Sequence, residues 1–506
     1  MKKIFRSFAL VTVTAVITRL LSFAFKIYLS RALGAEILGV YQLALSVVAT
    51  LACVNSSGIP VTLSRTVAEN AALNKREKSD SALFAALTLS ASFALVACAV
   101  FIAFPPLADL LFSDERCVPI FYIMLPLLAT AALYSCLRGW FWGNKNYGVY
   151  AATELTDEIT KILFSVILLS GTLTFVNYTH AYAYAMVASD VTVVLTLIVL
   201  YFVCGGKLRR PQGFRPVIKS SVPLTATRLS GSLVSTLVSL SLPVLLCKAA
   251  GLTTGEATAE LGRATGMVMP LLFAPMAITG SLAVVVIPEF ASLNAQNGRE
   301  KIGSALSLSI KYSCLVSGFF FALFAASGVA LGKLLYNDEA AGLYICVASV
   351  AVLPMGANGL CASALNSLGK ETSTFASHAT GLAVLVAVLF STVWFIGVYA
   401  YFLALILSHT ATLAVNLYNV KKLVKPDGKQ LSHAIFAYVF CAVSALSLSP
   451  LCNLISVRAG DAAAVATVFT ALLLTYAAYL FLSGAVSKKD LSFLSENKRA
   501  KKDLRA

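Results

Sequence analysis

The amino-acid sequence predicts an all-α polytopic membrane protein with 14 transmembrane helices: two parallel six-helix lobes followed by two C-terminal helices. Three observations predict it. Of 506 residues, 58% are apolar and only 12% charged, against about 45–50% and about 25% in soluble domains. Mean hydropathy is +0.84 over the whole chain, more than water-soluble cores can hide. Basic loops alternate with neutral ones, and short segments of the first half recur in the second.

A hydrocarbon layer about 30 Å thick needs about 20 largely apolar residues per helix. Such stretches cover 7–29, 37–58, 81–104, 118–140, 151–171, 180–203, 218–246, 264–287, 304–328, 340–367, 374–396, 399–420, 431–453 and 461–483. The first is read as an uncleaved span. Lys2, Lys3 and Arg6 precede it as in a signal peptide, but Arg19 and Lys26 interrupt the apolar run and no small-residue cleavage site follows. With these spans, and with Lys219 at the edge of span 7 counted with its loop, 27 of the 39 Lys and Arg lie on the side of the N-terminus, 6 on the other side and 6 within spans. The positive-inside bias therefore places both termini in the cytoplasm. It also accounts for the net charge of +16 without nucleic acid, since the basic residues form no long stripe.

The repeat sets the domain plan. Arg76-Glu77-Lys78 followed by Ser81-Ala82-Leu83 returns as Arg299-Glu300-Lys301 followed by Ser304-Ala305-Leu306, an offset of 223. Pro60 and Pro126 match Pro288 and Pro354 at 228, Gly143 matches Gly369 at 226, and Thr18-Arg19-Leu20 matches Thr227-Arg228-Leu229 at 209. The last shortfall is assigned to a longer loop between spans 7 and 8. The plan is an N-terminal lobe at 1–206, a cytoplasmic linker at 207–217, a C-terminal lobe at 218–425, two appended spans at 426–484 and a basic tail at 485–506. Six spans per copy relate the copies by an axis along the membrane normal, the arrangement of alternating-access transporters with a midplane site between the halves.

Other chemistries lack their residues. The 11 cysteines are scattered, odd in number and never in a C-x-x-C pair, so neither a disulfide framework nor a zinc site is indicated. Four isolated histidines, His180, His378, His409 and His433, offer no metal site. No P-loop, dinucleotide fingerprint or nucleophile elbow occurs, so no cofactor is expected and the protein is read as a non-enzyme.

Charges inside spans are costly and mark a cavity or a partner. Arg19 lies near mid-depth in span 1, Lys26 follows at i+7 on nearly the same face, and Arg228 occupies the matching place in span 7. Two readings are open: the arginines cap carbonyls and bridge helices, or they hold an anion, for which a guanidinium fork suits phosphate. Arg263, at the mouth of span 8, is either a further contact or an interfacial anchor. On span 5, Glu154, Asp157, Glu158 and Lys161 share one helical face, with Asp157 and Lys161 paired at i+4. This face is either a cytoplasmic gate with Arg138 of span 4 or a solvated helix start. Asp190, mid-span 6, is either a proton or sodium coupling group or the partner of a buried hydroxyl or arginine. Asn55-Ser56-Ser57-Gly58-Ile59-Pro60 ends span 2, and Pro243, Pro270, Pro275 and Pro288 punctuate spans 7 and 8 as kink positions.

Two segments carry a family resemblance: Thr18-Arg19-Leu20-Leu21-Ser22 through Leu33-Gly34-Ala35-Glu36-Ile37-Leu38-Gly39-Val40-Tyr41, and Ser57-Gly58-Ile59-Pro60 through Ser64-Arg65-Thr66-Val67-Ala68-Glu69. They resemble the polysaccharide transporter branch of the multidrug/oligosaccharidyl-lipid/polysaccharide exporter (MOP) superfamily, and within it the stage V sporulation protein B group. The resemblance implies a V-shaped pair of lobes in a bacterial cytoplasmic membrane. It implies a flippase for undecaprenyl-pyrophosphate-linked saccharide, either lipid II-like or a polysaccharide repeat unit, serving cell-wall, spore-cortex or polysaccharide assembly. Glycosyltransferases or peptidoglycan polymerases are the partners it suggests. Basic residues on the early helices of each lobe would hold the pyrophosphate, a description that Arg19, Lys26 and Arg228 fill; span 2 supplies none, because Arg65 lies beyond Pro60. Membrane potential, H+ or Na+ would drive the carrier. The alternative reading is a cation-coupled exporter of small drugs or metabolites, which favours an acidic cavity.

Overall fold

A computed structural model describes residues 2–171, 177–211, 214–280, 290, 299–424 and 427–485. Residues 212–213 of the predicted linker, Pro288 and the basic tail from 486 onward lie outside the described residues. The chain divides into two compact units, Met1–Met267 and Val268–Ala506. No strand occurs among the described residues. Twelve helices among them are long and apolar enough to cross a membrane. Predicted spans 1 and 2 fall together in one of the twelve, Val13–Ala71, and predicted span 5 is not among them because its helix carries Glu154, Asp157, Glu158 and Lys161.

The first unit begins with α1 (Lys2–Ser56), 55 residues long. At 1.5 Å per residue it would extend about 80 Å if straight, far beyond one crossing. Gly34, at φ 73° and ψ 170°, breaks it between the two predicted spans; a side chain there would be strained. Helix α2 (Gly58–Ala72) follows after Ser57 alone. The helix thus ends inside the Asn55–Pro60 segment expected to end span 2, and a new helix starts at once. Pro60 falls in the first turn of a new helix, where a missing N–H has no intrahelical partner to lose. The unit continues with α3 (Arg76–Ala103), α4 (Pro106–Leu111), α5 (Cys117–Met124), α6 (Pro126–Gly143), α7 (Tyr147–Leu169), α8 (Tyr178–Val203), α9 (Phe214–Ala250) and α10 (Thr254–Leu261). A π-helical segment, Gly262–Val268, carries α10 onward through Gly280.

The second unit contains α11 (Arg299–Tyr336), α12 (Glu339–Ala348), a 3-10 turn at Ser349–Ala351, α13 (Val352–Ser367), α14 (Glu371–Ile396), α15 (Tyr399–Leu423), α16 (Gly428–Ala459) and α17 (Asp461–Leu482).

The repeat is visible in how each unit is built. Helices α3 and α11 both begin at the recurring Arg-Glu-Lys. In the first unit Val67, Leu83, Leu137, Phe141, Leu197 and Tyr201 pack in one core. In the second, Phe290, Leu306, Cys361, Leu365, Val420 and Val424 do so, each 223 or 224 residues later. Two of the sequence pairings shift accordingly. The break in span 4 at Leu125–Pro126 corresponds to the 3-10 turn at Ser349–Ala351, so Pro354 lies just inside the next helix rather than at the break. Gly143 is helical, and the counterpart of Gly369 (φ 71°) is Lys145 (φ 59°). Both positions close the same C-terminal motif: Lys145 and Asn146 donate to Trp142 and Phe141 carbonyls, as Gly369 and Lys370 do to Asn366 and Leu365.

Candidate functional site

The charged face of α7 is the most developed polar site in the first unit. Residues 154, 157, 158 and 161 recur at i, i+3, i+4 and i+7, which sets them on one stripe. The stripe packs inward: Glu158 is 8% exposed. It is not a solvated helix start. Arg138, on the last turn but one of α6, reaches it, with Nη2 3.2 Å from Glu154 Oε2. Its Nη1 donates to Tyr134 Oη at 2.6 Å, and the guanidinium lies over the Tyr150 ring at 3.9 Å and the Tyr134 ring at 4.9 Å. Two aromatic faces and a carboxylate thus hold one cation that is largely removed from solvent.

One turn further, Lys161 Nζ is 3.4 Å from Asp157 Oδ2, as the i+4 spacing predicts. Thr160 Oγ1 shares a 2.7 Å hydrogen bond with Ser189 Oγ on α8, whose hydroxyl also donates to the Asp157 carbonyl. Asp190, the next residue of α8, accepts from Thr130 Oγ1 of α6 at 3.1 Å. Its direct partner is therefore a hydroxyl, one of the alternatives open at the sequence level. Lys161 lies within electrostatic reach of Asp157, Glu158 and Asp190, and Lys26 of α1 within reach of Glu158 and Lys161. The network thus joins α1, α6, α7 and α8. It sets four carboxylates (Glu154, Asp157, Glu158, Asp190) against three cations (Arg138, Lys161, Lys26). One negative charge is left over when all are ionised, and such a site can take up a proton or a small cation.

The sequence reading missed Tyr134, Tyr150, Thr130 and Ser189. Tyr134 had a signal, lying four residues before Arg138 on the same helical face. The others meet the network only through tertiary packing.

Arg19, Lys26 and Arg228 are all exposed rather than packed into a core. Helix α9 runs antiparallel to the second half of α1. Thr50 Oγ1 is 2.7 Å from both Ser232 Oγ and Thr236 Oγ1, Thr236 donates to Ser46 O, and Gly58 N donates to Thr225 Oγ1. That register sets Arg228 level with residues 54–55. Gly34 and Gly251 (φ 66°) lie at one end of these helices. Counting from them at 1.5 Å per residue, Lys26 is about 12 Å along, Arg19 about 22 Å and Arg228 about 34 Å. By this count Arg19 and Arg228 lie about 12 Å apart along the helices. No long loop joins spans 7 and 8, because α10 begins at Thr254, three residues after Gly251.

Arg263 is also re-placed. A capping box, in which Thr253 and Glu256 exchange hydrogen bonds, starts α10 ten residues before the predicted span. Arg263 consequently sits about 14 Å along the helix instead of at its mouth. It lies in the π-helical segment, with Nη1 2.8 Å from Glu260 Oε1. Among the described residues no group of three or more His, Cys, Asp or Glu is arranged to hold a metal ion.

Repeated sets of long apolar helices, with charges placed inside them, define a polytopic membrane protein. The chain belongs to the polysaccharide biosynthesis protein family, whose pattern matches residues 4–294. It is 26% identical to stage V sporulation protein B of Bacillus subtilis (strain 168) over 367 residues, covering 68% of this chain and 69% of that protein. It is 22% identical to sporulation protein YkvU of the same organism over 322 residues, covering 61% and 70%. Among solved structures it is similar to the lipid II flippase MurJ in an inward closed conformation, with TM-score 0.71, 12% identity and coverage of 94% of this chain and 99% of that one. It is also similar to an inward-facing multidrug resistance MATE family transporter of the MOP superfamily, with TM-score 0.66, 16% identity and coverage of 80% and 95%. The two solved neighbours are thus a flippase and a multidrug transporter.

Proposed function

We propose that the protein flips an undecaprenyl-pyrophosphate-linked saccharide, a lipid II-like precursor or a polysaccharide repeat unit, across the bacterial cytoplasmic membrane by alternating access. The observation that carries this reading is the set of exposed cations at successive depths. Arg228 would meet the pyrophosphate at the basic-loop end, and Arg19 and then Lys26 would receive it deeper in. Bidentate guanidinium contacts suit the diphosphate, and the saccharide crosses beside them while the polyprenyl tail stays in lipid. The basic-loop end, with both termini, is cytoplasmic in this reading. The named relatives support a setting in spore-cortex or cell-wall assembly, with glycosyltransferases or peptidoglycan polymerases supplying or consuming the substrate.

The α7 network would supply coupling. Lys26 belongs to both groups, so an arriving pyrophosphate competes with Glu158 for it. With Lys26 engaged, four carboxylates face two cations, and uptake of H+ or Na+ near Asp190 restores balance. Membrane potential acts on the same charges at about 2.3 kcal/mol per charge per 100 mV.

The test is reconstitution in liposomes with fluorescent undecaprenyl-pyrophosphate-linked saccharide, comparing wild type with Arg19→Ala, Lys26→Ala and Arg228→Ala. Loss of translocation in each correctly inserted variant is expected. Undiminished transport overturns the anion path. Transport of organic cations instead, abolished by Asp190→Asn, establishes the exporter alternative, which the excess carboxylate favours.

A further inference from the structure

A second charged cluster lies at the opposite end of the first unit, away from the basic loops, and the anion path does not use it. Arg116, in the short connection before α5, donates from Nη2 to Asp114 Oδ2 at 2.7 Å and from Nε to Asp114 Oδ1 at 3.0 Å. Its backbone N–H also donates to Asp114 Oδ1 at 3.0 Å. The free arm of the guanidinium, Nη1, reaches Glu36 Oε1 on α1 at 2.7 Å. Asp114 is almost fully buried, and its Oδ2 also accepts from Thr258 Oγ1 on α10 at 3.3 Å. Three segments far apart in sequence are therefore tied together by one guanidinium and one carboxylate.

Beneath this cluster α1 and α10 cross at backbone contact. A Cβ on Gly39 would collide with the Thr258 carbonyl, and a Cβ on Gly262 with the Ala35 carbonyl. Ala35-xxx-Gly39 faces Gly262-xxx-Gly266, the small-residue spacing that lets membrane helices approach closely. Such a dry crossing has little side-chain interdigitation to undo, and it can part as a rigid surface. The polar ties above it are the contacts that must be exchanged for water when it parts. Helix α10 comes from the second sequence copy, and α1 and Arg116 come from the first.

We propose that Glu36, Asp114, Arg116 and Thr258 form a releasable latch that holds α10 against α1, and that the latch opens in each transport cycle. This rests on the alternating-access reading, in which the ends of the two copies away from the basic loops must separate. Arg116 is the pivot. Its fork stays on Asp114 of its own loop, while the bonds to Glu36 and from Thr258 are the ones released. The partly exposed Glu36–Arg116 pair can exchange with water at little cost, and the buried Thr258–Asp114 bond gives the closed state its definition.

The chain carries its own reporter. Cys117, next to Arg116, is fully buried, with Sγ 3.8 Å from Val40 O on α1, so its labelling reports loosening of the packing around Arg116. The experiment measures modification of Cys117 by a membrane-impermeant maleimide in sealed vesicles of both orientations, read by peptide mass spectrometry, with Cys117→Ser as the blank. Thr258→Val should raise the labelling rate about tenfold, the expected weight of a lost buried hydrogen bond to a charged group, and Arg116→Ala about as much, because Asp114 then loses the fork that holds it toward Thr258. The increase should appear only from the side opposite the basic loops. Arg116→Lys, which keeps the charge but not the fork, should fall between. Unchanged labelling in both variants overturns the latch, and so does a lowered Tm with Cys117 still protected below it, the behaviour of a static brace. Faster labelling in a protein that moves no lipid-linked saccharide would leave the latch standing and remove the substrate assignment instead.

Discussion

Removing the Arg138–Glu154 pair tests whether the α7 network is a coupled unit. At 3.2 Å and an effective dielectric constant near 20, the attraction is about 5 kcal/mol. Desolvation of two largely covered groups offsets more than half of it, leaving a pairwise coupling of about 2 kcal/mol. Glu154→Gln should cost about 2–3 kcal/mol, because Arg138 then stays among Tyr134 and Tyr150 without a counter-charge. Arg138→Met should cost about 4 kcal/mol, since the 2.6 Å bond to Tyr134 and both ring contacts are lost as well. The double variant should lose about 2 kcal/mol less than the sum. At about 2 °C per kcal/mol for a unit of this size, its Tm should lie about 4 °C above the additive value. Thermal unfolding of the purified protein in detergent, followed by thiol-reactive fluorescence of the buried cysteines, provides the measurement. Additivity within about 1 °C would refute the coupling and reduce the pair to a surface contact.

Three other outcomes follow from single positions. Lys145→Gly should raise stability by about 1 kcal/mol, or Tm by about 2 °C, because Lys145 holds a left-handed φ of 59° that glycine adopts without strain. Gly262→Leu should force α10 off α1 and expose Cys117 to maleimide, whereas Gly428→Ala, with open space around it, should leave labelling unchanged. The Asp114 carboxyl is pushed up by burial, but hydrogen bonds from Arg116, its charge and the Thr258 hydroxyl outweigh this and hold it below the usual carboxylate range. A depressed folded pKa contributes stability above the unfolded value, about 3.9, and loses it only as pH falls through the folded one. Cys117 protection, normalised to denatured protein at each pH, should therefore be equal at pH 7 and pH 5. Loss of protection by pH 5 would contradict the Arg116 assignment.

Much of this was legible in the sequence, for identifiable reasons. Helices appear because each long apolar run must satisfy its own backbone in lipid. The Asp157–Lys161 pair and the shared face of α7 follow from helical periodicity alone. The Arg138–Glu154 pair was inferable because α6 and α7 are joined by a short turn, which brings facing charges together. Asp190 was not placed, since its partner Thr130 lies 60 residues away on α6 and nothing local marks it. The Thr253–Glu256 capping box was present as Thr-x-x-Glu, but hydropathy starts the span at 264 because Glu256, Glu260 and Arg263 depress it. The latch escaped for the same reason. Charges near a membrane surface look like ordinary interfacial residues until Asp114, Arg116, Glu36 and Thr258 are seen to meet.

The repeat supplies an internal control for the α7 network. If those charges were needed to pack this fold, the second copy would need them too. At the core offset of 223–224 the counterparts of Arg138, Glu154, Asp157, Glu158, Lys161 and Asp190 are Ala362, His378, Gly381, Leu382, Leu385 and Leu413. The second unit nevertheless builds the same helices and the same core from matching positions. Its polar contacts there are neutral: Asn358 donates to the His409 carbonyl, and Asn416 to Asn358 Oδ1. The charged set is therefore not an architectural requirement. Replacing the buried members of an ionic network together by apolar residues is often neutral or stabilising, whereas removing one alone is costly, and Lys26, the member left in place, is exposed. A variant carrying Arg138→Ala, Glu154→His, Asp157→Gly, Glu158→Leu, Lys161→Leu and Asp190→Leu should accordingly insert and keep its Tm within about 4 °C of wild type, allowing about 1 kcal/mol for the helical glycine. It should lose transport and any dependence of transport on proton or sodium gradients. Retained, gradient-driven transport in that variant would show the network to be a relic of packing, and failure to fold would show it to be structural after all.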